Sequence, residues 1–229
     1  MVLQKKLPKV IESIEGKEGT LMLQARETPC GRRFELIVGG HYAMAASDGD
    51  TEKTLSSFTL EKLSKSKNIR VLIGGLGLGL TLRETLSERR ISKVWVAEIE
   101  EAVVRWNRTH LSELNGNALR DPRVKIFHGD VMDIVRKKKR FFDAVILDVD
   151  NGPSFLMLER NDGLYTISGL KRLKKSLAFG GVLGIWAYRP EPDLEMRLKE
   201  VFGNFEVKLI RDSALRDDLP PTAIYAAKR

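Results

Sequence analysis

The sequence predicts an α/β protein, built on a doubly wound, mostly parallel sheet of seven strands with a small antiparallel β meander before it. From residue 68 onward, short apolar runs alternate with stretches of helical periodicity, which is the pattern of repeated β-α units. The first of these runs ends in a glycine-rich turn. Before residue 50, strand-like runs follow one another with only turn signals between them.

The N-terminal region, residues 1–50, is predicted to form the meander. Its three strand-like runs are TLMLQARE, RFELIVG and HYAMAAS, separated by Thr28-Pro29-Cys30-Gly31 and Gly39-Gly40. Asp50 or Thr51 is a candidate N-cap, and a linking helix over residues 51–65 follows with apolar side chains at helical spacing. Residues 51–229 are predicted to be the Rossmann-like, nucleoside-binding catalytic domain.

Seven apolar runs predict the strands of that second domain: IRVLIGG, SKVWVAEI, RVKIFHG, FFDAVILDVD, GGVLGIWAY, FEVKLIR and TAIYAAK. Helices are expected around residues 78–88, 100–114, 131–138, 166–177 and 191–202. The last two strands are joined by residues 212–221, which are too polar and proline-rich for a helix. We therefore expect these two strands to pair antiparallel at the sheet edge.

The composition is that of a globular protein with one large domain. The chain has 229 residues, 42% of them hydrophobic and 31% charged, which is enough to bury a core. No apolar run approaches the ~18 residues of a membrane span and no apolar leader follows Met1, so we expect a soluble cytoplasmic protein. The single cysteine, Cys30, excludes an intrachain disulfide and a cysteine-based metal site, and no metal is expected.

The glycine-rich turn after the first strand of the main sheet is a candidate nucleoside-binding loop. Ligands of open parallel sheets bind beyond the carboxyl ends of the strands. Gly75, Gly77 and Gly79 alternate there, so the backbone can approach a ligand closely. Five positions after Gly75 stands Leu80 in place of the Gly or Ala of a dinucleotide fingerprint, which favours a nucleoside without a pyrophosphate. A tight strand-to-helix turn without a ligand is the alternative.

Acidic residues follow the next two strands. Glu98, about 20 residues after the glycine turn, is a candidate for the ribose hydroxyls, with Ile99 beside it; a helix-start acid is the alternative. Asp130 is placed to accept from an adenine amino group, with Val131 next to it, and a helix N-cap role is equally compatible. His128 is interpreted as a packed histidine or one with satisfied hydrogen bonds, and not as a catalyst.

The fourth strand carries the candidate catalytic group. Four apolar residues run directly into Asp148, and a helix-cap explanation is weak because no helix opens at once after it. Asp150 and Asn151 are candidate substrate-binding residues. Trp186 and Tyr188, which leave the fifth strand, are candidates for the wall of a substrate pocket, with ordinary core and rim packing as the alternative.

Taken in order, the motifs GGLGLG, VAEIEEAVV, DPRVKIFHGD, FDAVILDVDNGP and FGGVLGIWA resemble the spermidine synthase (polyamine aminopropyltransferase) family over most of residues 30–205. The resemblance implies the fold of class I S-adenosylmethionine-dependent methyltransferases and a homodimer. It implies that the three loop glycines line the sulfonium end of the nucleoside. It also implies that Glu98 binds the ribose, Asp130 the adenine amine, and Asp148 the attacking amine.

The chain departs from the family pattern in three places. The family's Asp-Ser-Ser-Asp-Pro is Asp148-Val149-Asp150-Asn151-Gly152-Pro153 here, which changes the spacing of the second acid. The Gly-Gly-Gly-Asp-Gly-Gly turn is GGLGLG here, without its internal acid. The family's N-terminal Gln and Tyr-His-Glu signature is absent, and Tyr42, Ser47 and Glu52 stand in its vicinity.

The leading hypothesis is a spermidine synthase-like transferase that moves an aminopropyl group from decarboxylated S-adenosylmethionine to an amine and releases methylthioadenosine. An S-adenosylmethionine-dependent methyltransferase with an unknown acceptor is the alternative, favoured by the missing loop acid. A non-catalytic nucleoside or nucleic-acid binding protein is a third hypothesis, suggested by basic clusters at 137–140 and 171–175. We expect no nucleic-acid partner, and the net charge of +8 argues mildly against a highly charged polyamine.

Overall fold

The computed structural model of the chain describes residues 7–17, 19–29, 31–46, 50–149, 152, 162–211 and 220–229. Its N-terminal part is an antiparallel sheet of four strands in chain order: β1 (Lys9–Gly16), β2 (Gly19–Thr28), β3 (Gly31–Val38) and β4 (His41–Ala46). The predicted meander had three strands, and β1 was missed. Because β1 lies at the sheet edge and leaves charged residues exposed, its sequence KVIESIEG has no continuous apolar run.

The helix α1 (Asp50–Glu61) leads into a second sheet of seven strands. In chain order these are β5 (Ile69–Gly74), β6 (Ile91–Glu98), β7 (Val124–His128), β8 (Phe142–Leu147), β9 (Leu177–Ala187), β10 (Phe205–Ile210) and β11 (Thr222–Lys228). Their spatial order is β10-β11-β9-β8-β5-β6-β7. The pairs from β9 to β7 are parallel, and β11 runs antiparallel to both its neighbours. The predicted mostly parallel seven-stranded sheet is confirmed, with β11 inserted between β9 and the outermost β10.

Within the described residues, the strands are connected by further helices: α2 (Leu80–Ser87), α3 (Glu101–Arg108), α4 (Val131–Lys137), α5 (Asp162–Tyr165), α6 (Ile167–Ser176) and α7 (Pro192–Phe202). The helix predicted to run to residue 114 ends at Arg108. The amide of Leu111 donates to the carbonyl of Trp106, five residues back, so the regular i to i−4 bonding of the helix stops there. Turns and a short 3₁₀ helix, Ala118–Arg120, then lead to β7.

The two faces of the seven-stranded sheet are covered by different elements. The N-terminal sheet and α1, α2 and α3 share one buried cluster with the strand residues that point to their side, among them Ile73 and Ile146. The helices α4, α6 and α7 cover the other face, against residues such as Leu72 and Leu147. Since side chains alternate along a strand, the residue after Leu147 points toward the α1 and α2 side.

The N-terminal sheet is attached directly to the main sheet's helices. Glu12 on β1 accepts a hydrogen bond of 2.8 Å from the indole Nε1 of buried Trp106 and pairs with Arg105. In the described ranges, no helix is both long and apolar enough to cross a membrane. The division of the chain at residue 50 remains a prediction.

Candidate active site

The glycine loop lies between the carboxyl ends of three parallel strands. The amide of Gly75 donates to the carbonyl of Ala97 on β6, and the amide of Asp148 after β8 donates to the carbonyl of Gly74, both at 2.9 Å. Gly75, Gly77 and Gly79 have φ angles of 84°, 49° and 83°, which L side chains rarely adopt. A Cβ at Gly75 would stand 2.1 Å from the carbonyl oxygen of Asp148. The loop and the backbone of Asp148 are therefore in contact.

The glycine loop is anchored to the protein core by two buried leucines and by a hydrogen bond from one asparagine. Leu76 and Leu78 point into the core, so they do not line the ligand side. Asn107 on α3 is 1% exposed, and its side-chain amide donates to the carbonyl of Gly77 at 2.8 Å. A Cβ at Gly79 would lie 2.2 Å from the Oδ1 of Asn107. Sequence reasoning missed Asn107; the available signal was a polar residue on the apolar face of a helix, four positions after Val103.

Glu98, at the end of β6, is connected to the glycine loop. Its Oε2 accepts from the amide of Leu76 and its Oε1 from the amide of Glu100, each at 2.9 Å. Burial raises the pKa of Glu98, and the backbone N–H groups partly oppose this. Each carboxylate oxygen keeps a second lone pair that a ribose hydroxyl can use. The ribose role remains a prediction, but the contact with Leu76 is more than a helix-start acid would make.

The turn between β1 and β2 reaches this same edge of the main sheet. The amide of Lys17 donates to Oε1 of Glu100 at 2.9 Å, and its Nζ lies 3.4 Å from Nε2 of His128. The same ring nitrogen is 2.7 Å from the carbonyl of Ile99, so it is satisfied as expected. Because β7 is the outer strand of the sheet, the side chain of His128 is exposed, so of the two expected states it is the hydrogen-bonded histidine and not the packed one.

Asp130 is the N-cap of α4. Its Oδ1 accepts from the amide of Met132 at 2.7 Å, so the capping alternative describes one of its oxygens. Val131 is buried and packs beneath the base of the glycine loop, since a Cβ at Gly74 would lie 3.1 Å from its Cγ2. The contact of Asp130 with an adenine amine remains a prediction.

Asp148 points toward α1 and α2, as the alternation along β8 requires. The hydroxyl of Thr81 at the start of α2 donates to its Oδ2 at 2.6 Å. The pKa of Asp148 is raised to about 7. Burial is the larger cause and the negative charge of Glu52 adds to it, while the hydrogen bond from Thr81 lowers the pKa in part. Glu52 lies on α1 and is 6% exposed. Neither Thr81 nor Glu52 was among the predicted site residues.

The remaining predicted residues lie on or beyond the neighbouring strand end. Leu147 pairs with Ile185 in the parallel β8–β9 register, so Trp186 is level with Asp148 and, like it, on the α1 side. Tyr188 follows, partly buried. Asp150 and Asn151 lie outside the described residues. Pocket-wall roles for the two aromatic residues remain predictions.

The site is thus a glycine loop, here called the glycine cradle, in which Cβ atoms at Gly75 and Gly79 would clash with Asp148 and Asn107, and it is flanked by an acid at each of three strand ends. Glu98, Asp130 and Asp148 follow β6, β7 and β8 in turn, and they lie at the edge where open parallel sheets bind nucleosides. The fold and the site together define a doubly wound α/β protein with a carboxylate next to the cradle, at the edge of the sheet where this class binds its ligands.

Comparison with known proteins identifies the relatives. A family model for the spermine/spermidine synthase domain matches residues 52–200, more than half of the chain. The polyamine aminopropyltransferase of Clostridium tetani is 42% identical over 79 residues, which is 34% of this chain and 28% of that protein. The enzyme of Prochlorococcus marinus (strain MIT 9215) is 32% identical over 133 residues, 58% of this chain and 44% of that protein.

A solved spermidine synthase in complex with the transition-state analogue AdoDATO has a TM-score of 0.81 at 22% identity, covering 96% of this chain and 73% of that one. The chain belongs to the spermine/spermidine synthase family, as its ordered motifs predicted. It spans less than half the length of the two polyamine aminopropyltransferases named above.

Proposed function

We propose that the protein transfers an aminopropyl group from decarboxylated S-adenosylmethionine to an amine and releases methylthioadenosine. One observation supports this most directly: Asp148 adjoins the glycine cradle and has a pKa near 7, the value of a general base that works at neutral pH. The family and the relatives named polyamine aminopropyltransferase support the same reaction.

The described residues fit the nucleoside half of such a substrate. The glycine loop presents backbone without side chains at Gly75, Gly77 and Gly79, and Glu98 has lone pairs for the ribose hydroxyls. The sulfonium group supplies an activated propyl carbon. Because Leu76 and Leu78 are buried, the backbone of the loop, and not its side chains, would face that end.

Asp148 would prepare the amine for attack. A primary amine has a pKa of about 10 and arrives protonated. Because the pKa of the Asp148 carboxyl is about 7 in place of 3.8, the pKa difference between the amine and Asp148 falls from roughly six units to roughly three. Asp148 accepts the proton, the nitrogen lone pair forms the N–C bond, and the C–S electrons pass to sulfur to give a neutral thioether. Once Asp148 has released that proton to solvent, its carboxylate stabilises the positive charge that develops on nitrogen.

Turnover with a diamine panel tests the proposal. The full chain is incubated with decarboxylated S-adenosylmethionine and linear diamines, and methylthioadenosine release is measured by chromatography and mass spectrometry. We expect methylthioadenosine release with at least one diamine. The rate of release should fall by about 10²-fold or more in Asp148→Asn, while this variant still binds methylthioadenosine. Methylated product from intact S-adenosylmethionine would favour the methyltransferase alternative, and absence of any aminopropylated product would contradict the proposal.

We also propose that the protein is a cytoplasmic homodimer. The edge strand β1 and the residues before it expose apolar side chains, with Leu7 90% and Val10 48% accessible, and such surface favours association. The single cysteine suits a reducing compartment. Light scattering after size exclusion should give twice the mass of the 25.9 kDa chain; a monomer at micromolar concentration would contradict the dimer.

A further inference from the structure

One face of α1 is directed at Asp148. Glu52, Ser56 and Thr59 recur at intervals of four and three, so they share a helix face, and all three are buried. Thr59 packs against β9 so closely that a Cβ at Gly184 would lie 2.0 Å from its Oγ1. This close approach fixes α1 on the same side of the sheet as Asp148.

Ser56 connects that face to the group that contacts Asp148. Its hydroxyl donates to the carbonyl of Thr81 at 3.1 Å and lies 3.0 Å from the hydroxyl of Thr85. Thr81 in turn donates its hydroxyl to Asp148. Glu52, one turn before Ser56, is therefore placed over the Asp148 end of this chain of contacts, and its charge acts on Asp148.

We propose that Glu52 is the second carboxylate of the amine site: with Asp148 it holds the positively charged amine, and its charge strengthens Asp148 as a base. This inference rests on the proposed aminopropyl transfer. Two carboxylates close together share a proton or a cation more readily than both ionise alone, and an ammonium group satisfies both.

The other charged groups on α1 and on the elements packed against it are exposed, as Asp50 and Lys53 are, or pair elsewhere. On α2, Arg83 pairs with Glu84. At the opposite end of β8, Asp143 pairs with Lys65 and Arg70. On β11, Lys228 donates to the carbonyl of Lys62, after the last residue of α1. Among the described residues, Glu52 is thus the charged side chain that acts on Asp148 from α1.

The variant Glu52→Gln tests this role, because Gln retains the hydrogen bonding that a Glu makes in a first helical turn and loses the charge. We expect the KM for the amine to rise at least fivefold, with the Kd of methylthioadenosine changed less than twofold. The acidic limb of the kcat/KM pH profile should move down by half a pH unit or more, since the pKa of Asp148 falls. Glu52→Asp, which keeps the charge, should leave that limb near its wild-type position.

Glu61→Gln, at the exposed far end of the same helix, is the matched control and should match wild type in both measurements. If Glu52→Gln lowers activity with no change in the pH profile, Glu52 is a structural residue of α1 and the proposal is wrong. Titration of the Asp148 carboxyl by ¹³C NMR, assigned with Asp148→Asn, gives the same comparison without turnover. An unchanged Asp148 pKa in Glu52→Gln would overturn the inference even if the enzyme transfers aminopropyl groups, and inactivity of the wild type would count against the proposed function alone.

Discussion

Gly75 is required by its backbone angle and by its neighbour. Its φ of 84° disfavours a side chain, and a Cβ would meet the carbonyl oxygen of Asp148 at 2.1 Å. Gly203, at the end of α7, has a similar φ of 87° but open space around the Cβ position. A side chain at either position would strain the backbone, but only at Gly75 would it also collide with a neighbouring residue. Comparing variants at the two positions therefore distinguishes the effect of backbone strain from the effect of the contact with Asp148.

We predict that Gly75→Ala loses methylthioadenosine affinity at least tenfold, because the loop must move away from Asp148. Calorimetric titration measures this. Gly203→Ala should cost only the roughly 1–3 kcal/mol of a strained backbone and leave binding unchanged. Equal binding by the two variants would show that the loop does not contact the nucleoside.

Asp148 should make stability depend on pH. Its pKa of about 7 in the folded chain exceeds the ordinary 3.8, so between these values the unfolded state binds fewer protons than the folded state. Its contribution to stability is therefore fully present below about pH 4 and is lost as the pH rises through 7. Burial of the ionised carboxylate destabilises the protein at alkaline pH.

The variant Asp148→Asn removes this titration. We expect its Tm to match wild type near pH 4 and to exceed it by roughly 3–6 °C at pH 8, the change expected from about 1–2 kcal/mol in a chain of this size. Differential scanning calorimetry of both proteins at pH 4 and at pH 8 measures this difference in Tm. Asp133→Asn, at a half-exposed position on α4, is the control. A Tm difference that is the same at pH 4 and pH 8 would contradict the raised pKa.

At the scale of elements, the position of α1 depends on a glycine in β9. A Cβ at Gly184 would lie 2.0 Å from Oγ1 of Thr59 and 3.1 Å from its Cβ. The helix that carries Glu52 can therefore lie against the sheet only while position 184 has no side chain.

We predict that Gly184→Ala lowers the free energy of unfolding by about 1–3 kcal/mol, as overpacking does. Thr59→Ala removes the nearest atom, so the double variant should be more stable than the sum of the single effects predicts. Denaturant titration of all four proteins measures this coupling. Additive effects would mean that α1 does not press on β9 at this point.

Element boundaries show what a sequence pattern can predict. The strands β5, β6, β8 and β9 are buried apolar runs, and all four were predicted. The strand β1 was missed, because an edge strand alternates charged and apolar residues without a clear run. The early end of α3 at Arg108 depends on the turn bonds of Trp106 and the neighbouring asparagines, which helical periodicity does not report.

At the scale of the whole molecule, the two sheets share one core. Residues of β2 and β3, such as Leu23 and Leu36, belong to the same buried cluster as Ile73 and Ile146 of the main sheet. Glu12 adds a hydrogen bond to the buried indole of Trp106. We therefore expect the chain to unfold in a single cooperative transition.

The variant Glu12→Ala leaves the Trp106 N–H without its partner, which costs about 1–3 kcal/mol in a buried position. Scanning calorimetry should show one transition, lowered by roughly 2–4 °C for each kcal/mol. Glu15→Ala, at an exposed position on the same strand, should leave the Tm nearly unchanged. Two separate transitions in either variant would indicate that the N-terminal sheet is an independent unit.

The net charge of +8 is unevenly distributed. The site is acidic, with Glu52, Glu98 and Asp148 near the carboxyl ends of the strands. The predicted basic clusters lie at the opposite end of β8, where the amide of Arg140 donates to the carbonyl of Lys175. A cationic substrate would thus be attracted by the nearby acids and repelled by the more distant basic residues. Salt screens charges that are more than a Debye length of about 8 Å away, so the attraction of the nearby acids is the larger effect at the site.

The sequence alone determined the order of the strands and helices, the glycine loop and the acids that follow each strand, because these depend on local periodicity and on adjacent residues. Asp148 was identified in this way. Only the tertiary structure brought Glu52, Thr81 and Asn107 to the same site, from helices up to about 100 residues away along the chain. The pKa of a carboxylate depends on burial and on neighbouring charges in space, so the raised pKa of Asp148, which supports its proposed role as a base, could be recognised only after α1 and α2 were placed against β8.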